Sequence, residues 1–163
     1  MNMTLQAFRR LVYLYKQEVG RVVFNQYADH IGFKKEPLTV RNLMKIVDAT
    51  LRLSNHRGFQ AISLQDLGAA TDLNAGNLHT YIRSKEELQN LVQSFGHVVS
   101  ARILLDQLKD IPTPLEQLRV AVRTQLFLHE VLQDWFYFSY MENRNLSAED
   151  KQQALQTELS TEE

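Results

Sequence analysis

The sequence predicts an all-α protein, and three observations carry that expectation. Apolar residues recur at helical spacing through most of the chain, and no stretch alternates as a half-buried strand would. Only three prolines and six glycines stand among 163 residues, few for the turns that an all-β fold needs. Ser63 and Ser84 each precede an acidic residue by three positions, Asp66 and Glu87, which is the pattern of a capped helix start.

The elements follow in order. From Thr4 to about Tyr27, residues Leu5, Phe8, Leu11, Val12, Tyr15, Val19, Val22 and Val23 make one apolar stripe. Gly32 and Pro37 mark a break over residues 31–37, because proline pushes Glu36 out of the α region. A second helix is expected from Val40 through Leu43, Ile46, Val47, Thr50 and Leu51 to Arg57, with Gly58 as its C-terminal stop. Ser63 opens a short helix that ends near Thr71-Asp72. A tight turn at residues 72–74 leads into another short helix holding Gly76, Leu78 and Tyr81. Ser84 then caps a long helix whose stripe is Leu88, Leu91, Val92, Phe95, Val99, Ile103 and Leu108. Pro112 and Pro114 end it, and the next helix runs from Leu115 through Leu118, Val122 and Leu126 and onward. Residues 146–150 supply one more cap before a polar terminal helix.

Composition removes several classes of function. The absence of cysteine excludes disulfides, thiolate metal sites and cysteine nucleophiles. No run of about 18 apolar residues exists to span a membrane, and Arg9 and Arg10 interrupt the first apolar stretch where a signal peptide needs it unbroken. The expected location is the cytoplasm. His30, His56, His79, His97 and His129 show no metal-ligand spacing, and neither a Gly-rich phosphate loop nor a Gly-x-Ser-x-Gly elbow is present. No metal, cofactor or catalytic residue is therefore expected. Residues 1–95 carry 12 Lys and Arg against 8 Asp and Glu, and residues 96–163 carry 6 against 11. If one half meets a polyanion, it is the first.

Two short helices joined by a tight turn, behind one helix and ahead of a long one, describe a helix-turn-helix. Residues 46–53, Arg57-Gly58-Phe59 and Ser63-Leu64-Gln65-Asp66-Leu67 resemble the opening of the tetracycline-repressor (TetR) family's DNA-binding domain. The stretch from Leu73 to Leu88, ending in Ser84-Lys85-Glu86, is similar to that family's recognition-helix signature, and the resemblance covers roughly residues 43–92. It implies a three-helix helix-turn-helix domain over residues 41–90. A long fourth helix would join it to a helical effector and dimerisation domain over residues 91–163, with residues 1–40 as an N-terminal extension. Family members spend more chain on that last domain, so it is expected to be incomplete here.

The same residues suit DNA on physical grounds. A reading helix needs small or polar residues on its outer face so that its backbone approaches the major groove, and Asn74, Ala75, Gly76, Asn77, His79 and Thr80 supply that face. Asn77 can pair with an adenine edge, and Thr80 can touch a thymine methyl or a phosphate. Ser63 and Gln65 would meet the backbone and a base edge, and Lys85 stands where a helix start favours phosphate. Simpler roles stay open: Ser63 and Ser84 as caps alone, Gly76 for close packing, His79 as a plain surface residue. Where the family commonly has glycine, lysine, phenylalanine and phenylalanine, this chain has Asp72, Ala75, Ser54 and Ile82. Phe8, Phe24 or Phe33 of the extension would fill the space that Ser54 leaves. Its Arg9, Arg10, Arg21, Lys34 and Lys35 form either a DNA arm or the exposed side of a packing helix.

The C-terminal part packs five of the fifteen aromatics into residues 135–140. Some must face a neighbour, a pocket or another subunit. Arg102, Arg123, Trp135, Phe138 and Met141 are the candidate lining of a pocket for a small apolar or anionic effector. Arg102, Arg119 and Arg123 would otherwise pair with Glu116, Glu130 and Asp134. The reading is a ligand-responsive repressor that binds a palindromic operator in double-stranded DNA as a homodimer. The alternative is an α-helical protein-interaction module, which salt-dependent retention on DNA would separate from it.

Overall fold

The computed structural model describes residues 3–27 and 36–143, together with residues 152, 155 and 156. Among the described residues it forms α1 (Leu5–Tyr27), α2 (Glu36–Arg57), α3 (Leu64–Thr71), α4 (Ala75–Tyr81), α5 (Lys85–Leu108), α6 (Pro114–Val131) and α7 (Gln133–Asn143), and no strand. A 3-10 turn, Phe59–Ala61, links α2 to α3. No helix among the described residues is long and apolar enough to cross a membrane.

α1 lies against α2, α5 and α6. Phe8, Val12, Val19 and Val23 are its buried face, the stripe expected from their spacing. Its charged residues reach other helices: Arg9 to Glu130 (3.8 Å), Lys16 to Asp48 (3.8 Å) and Glu18 to Arg102 (3.5 Å). Such exposed pairs contribute only about 0–1 kcal/mol each. α1 is thus a packing helix and not an extended arm, although Arg10 and Arg21 stay exposed. Lys34 and Lys35 lie outside the described residues. The Tyr15 hydroxyl donates to Asp106 of α5. Burial first, and then this bond to a carboxylate, push the Tyr15 pKa up to about 12.

The second helix starts at Glu36, four residues before the expected Val40, with Pro37 inside its first turn. There proline loses no bond, because the first N–H groups of a helix have no intrahelical partner. Thr50 and Ser54 are buried on α2 and donate to the carbonyls of Ile46 (2.7 Å) and Thr50 (2.6 Å), which satisfies both hydroxyls within the helix. The helix stops as expected at Gly58, whose φ of 82° suits glycine. Phe8 does not fill the three-helix core around Ser54. It packs on Phe127 of α6 (centroids 5.3 Å apart), and Phe138 of α7 is the ring that meets Phe59 edge-on at 5.6 Å. Phe33 and the side chain of Phe24 lie outside the described residues.

Beyond α5 the expected continuous helix is broken at Leu132, whose φ of −109° and ψ of 26° are not helical. The N–H groups of Trp135 and Phe136 both donate to the Leu132 carbonyl (3.0 Å each) and start α7 in a new direction. Trp135 then lies across α5. Its indole N–H donates to the Val92 carbonyl (3.0 Å), and a Cβ at Gly96 would fall 2.0 Å from Nε1. Only glycine leaves room for that crossing. The cap expected at residues 146–150 lies outside the described residues.

Candidate nucleic-acid interface

Ser63 opens α3 through a complete capping box. Its hydroxyl accepts from the Asp66 N–H (3.1 Å) and donates to the Asp66 carboxylate (2.7 Å), which also accepts from the Ser63 N–H (2.9 Å). Arg57, at the end of α2, adds a salt bridge to the same carboxylate at 2.9 Å. The backbone and hydroxyl bonds from Ser63, then the Arg57 guanidinium, hold the Asp66 pKa down to about 2. α3 ends at Asp72, with φ 59° and ψ 31° in the left-handed region. Aspartate tolerates this turn conformation, which explains how it replaces a glycine there.

Within α3, Gly68 lets the following segment come close, since an added Cβ would sit 2.9 Å from the Leu73 carbonyl oxygen. Asn74 caps α4 by accepting from the Asn77 N–H at 2.8 Å. Leu78 and Tyr81 are buried beneath α4, and the Tyr81 hydroxyl accepts a bond from Asn42 of α2 at 2.9 Å. Ile82, in place of the bulkier phenylalanine, is 3% exposed and completes this inner face.

The outer face is open. Ala75, Gly76, Asn77, His79 and Thr80 are all exposed, as are Asn74, Ser63, Gln65 and Lys85. The Thr80 hydroxyl donates back to the Gly76 carbonyl (2.9 Å). Gly76 is not a packing glycine: the nearest atom to an added Cβ is Asn74 Oδ1, at an ordinary 3.5 Å. A shallow cleft of about 120 Å³ brings Ser63, His79 and Lys85 together with Arg83 and Ser84 over Leu67 and Leu88. The Lys85 ammonium donates to the carbonyls of Phe59 (3.1 Å) and Gln60 and rides 5.5 Å above the Phe59 ring. Ser84 caps α5, but Glu87 reaches past the cap to the Arg83 N–H (2.7 Å). This is a short helix with a buried apolar underside and a small, polar, unobstructed outer side.

Residues 46–91 match the family model described as bacterial regulatory proteins, tetR family. The helix-turn-helix segment of this chain is of the TetR family. TetR proteins are DNA-binding transcription regulators, and the matched residues hold α3 and α4 together with the end of α2 and the start of α5. No curated protein and no solved structure matches the chain.

Sequence reasoning passed over Asn42 and Gly68, which position the TetR recognition segment from behind. Gly68 did leave a signal, because glycine inside a helical pattern marks a close approach. The five residues expected to line an effector pocket do not converge on one cavity. Trp135 and Phe138 are buried in the core, where α5 and Phe59 fill the space around them. Arg102 pairs with Glu18, Arg123 lies on the outer side of α6 beside Leu126 and Phe127, and Met141 is exposed. The ion pairs expected around Glu130 and Asp134 are also different: Glu130 meets Arg9, and the Asp134 backbone carbonyl accepts from Asn55 at 3.1 Å.

Proposed function

We propose that this chain binds a palindromic operator as a homodimer and represses transcription until a small apolar or anionic effector releases it. The observation that carries the DNA reading is the bare outer face of α4 at Gly76, set on an inner face anchored by Leu78 and Tyr81. Each subunit lays that face in the major groove of one half-site, with the Ala75–Gly76 backbone at the closest approach. Asn77 reads an adenine edge and Gln65 a second base. Thr80 meets a thymine methyl or a phosphate. Ser63, His79 and the free amide nitrogen of Asn74 hold the DNA backbone. Lys85 spends two of its three donors on the Phe59 and Gln60 carbonyls, which leaves one for a phosphate.

Release fits a two-state motion of α5. This helix starts beside α4 and carries the Trp135 contact midway along, so a ligand that shifts α7 acts on the reading head through one continuous element. Selection of bound sequences from random duplex DNA is the test. Enrichment of an inverted repeat supports the reading. Recovery of no sequence preference, with retention on DNA that ignores salt, refutes it.

A further inference from the structure

α3 and α4 contain no lysine or arginine. Phosphate neutralisation dominates the affinity of proteins for DNA, so most of the electrostatic hold has to come from the residues that flank these helices. On one flank, α2 begins at Glu36, so residues 36–45 lie outside the matched segment. Arg41 and Lys45 stand on this part of α2, one helical turn apart, and both are exposed. Among the described residues neither takes part in an ion pair, whereas Arg9, Lys16, Arg57 and Arg102 are each matched to an acid. Asp48, next along the same face of α2, has Lys16 of α1 at 3.8 Å.

Asn42 gives the two cations their place. Its side-chain amide donates to the hydroxyl of Tyr81, the last residue of α4, at 2.9 Å. At about 100° per residue, Lys45 lies about 60° round α2 from Asn42 and Arg41 about 100°, both on one side. Thr39, Leu43 and Ile46 fall on the other side and are buried. Arg41 and Lys45 are therefore on the outer shoulder of α2, beside the C-terminal end of α4 and about 6 Å apart along the helix axis.

We propose that Arg41 and Lys45 bind phosphates of the DNA strand that walls the major groove at the C-terminal end of α4. The proposal rests on the DNA reading above and adds a grip that α3, α4 and Lys85 do not supply. The groove is about 12 Å wide, so a helix lying in it has a phosphate wall about 6 Å from its axis on either side. Asn42 holds α2 at the end of α4, which leaves that wall within the length of a lysine or arginine side chain. Both contacts go to the backbone, so they strengthen binding to every sequence alike and select none.

The test compares the full chain with its Arg41→Ala/Lys45→Ala variant, by fluorescence anisotropy on the selected operator and on a random duplex of equal length. Salt is varied from about 50 to 200 mM. Both positions are exposed, so circular dichroism and melting of the variant should match the parent. The expected result is a salt slope smaller by about two units, with at least tenfold weaker binding to both duplexes. Arg41→Lys/Lys45→Arg keeps both charges and should keep the parent's slope. Lys109→Ala/Arg119→Ala removes the same charge from exposed sites, the first about 36 Å along α5 from Lys85, and should change neither slope nor affinity. An alanine variant with the parent's slope overturns the α2 contact and leaves the DNA reading standing. So does an equal loss in the Lys109/Arg119 variant, which would make the effect one of net charge, or a loss confined to the operator. A parent that binds neither duplex overturns both.

Discussion

Gly76 occupies the second position of α4, and an added Cβ there would meet only Asn74 Oδ1, at 3.5 Å. Gly76→Ala therefore costs the fold nothing in packing. Alanine also has less backbone entropy to lose, worth about 0.4–1 kcal/mol when the native conformation is helical. For a chain of this length that gain raises Tm by roughly 1–4 °C. The same methyl group stands where the backbone is to approach the floor of the groove. Lifting α4 by part of a methyl diameter weakens the neighbouring Asn77 contact, worth about 1–3 kcal/mol, and a tenfold loss of operator affinity is about 1.4 kcal/mol. The expected result is a protein that melts higher and binds its selected operator about tenfold more weakly, read by calorimetry and by fluorescence anisotropy at fixed salt. Unchanged operator affinity would refute the close approach at Gly76. A lower Tm would refute the exposure of that position.

Gly96→Ala should do the opposite, because the methyl group collides with the Trp135 indole and displaces its bond to Val92. A loss of about 2–4 kcal/mol is expected in urea unfolding. Asp72→Gly relieves a left-handed aspartate and should stabilise the chain by about 0.5–1 kcal/mol, while tighter DNA binding is expected from the lost negative charge beside the turn. Asp66 binds its proton less readily when folded, with a pKa of about 2 against 3.8 unfolded, so its stabilisation is complete above about pH 4 and is lost as pH falls towards 2. Asp66→Asn should flatten that limb when urea midpoints are compared between pH 2 and 5. Lys85→Ala removes the two bonds to the 3-10 turn and should lower stability by about 1 kcal/mol. If its third donor meets a phosphate, the salt dependence of DNA binding also falls by about one unit.

The helix-turn-helix was legible because its signals are local. Ser63 with Asp66, the stop at Gly58 and the cap at Ser84 each act within four residues, and each forms in the structure. Leu78 and Tyr81 were legible as the inner face because a seven-residue helix has room for only one buried side. What escaped depends on contacts distant in sequence. The break at Leu132 carries no glycine or proline, and it forms where the chain turns so that Trp135 crosses α5 at Gly96, some forty residues earlier. The Lys85 tie to Phe59 and Gln60 spans about 25 residues and is invisible to any periodicity. The α6 stripe was legible as a helix and no further. Periodicity finds the apolar face of a helix, but it does not say whether the chain's own core covers it, and here Leu115, Leu118, Val122 and Leu126 face water.

These distant contacts fix α5 at three heights. Lys85 binds its first turn to the 3-10 turn behind α2, the Trp135 indole holds its middle, and Tyr15 and Glu18 of α1 hold Asp106 and Arg102 near its end. Such a helix cannot pivot freely about residues 82–84. A displacement imposed from the α6 and α7 side must either break the Lys85 bonds, or carry the 3-10 turn and with it α3 and α4. The first course costs about 1–3 kcal/mol for bonds to a charged donor, while the second leaves the packing around Leu67, Leu78 and Leu88 intact. Rigid motion of α3, α4 and the first half of α5 as one body is therefore the less costly course. Under it the two reading helices of a dimer would change their separation without changing their own shape.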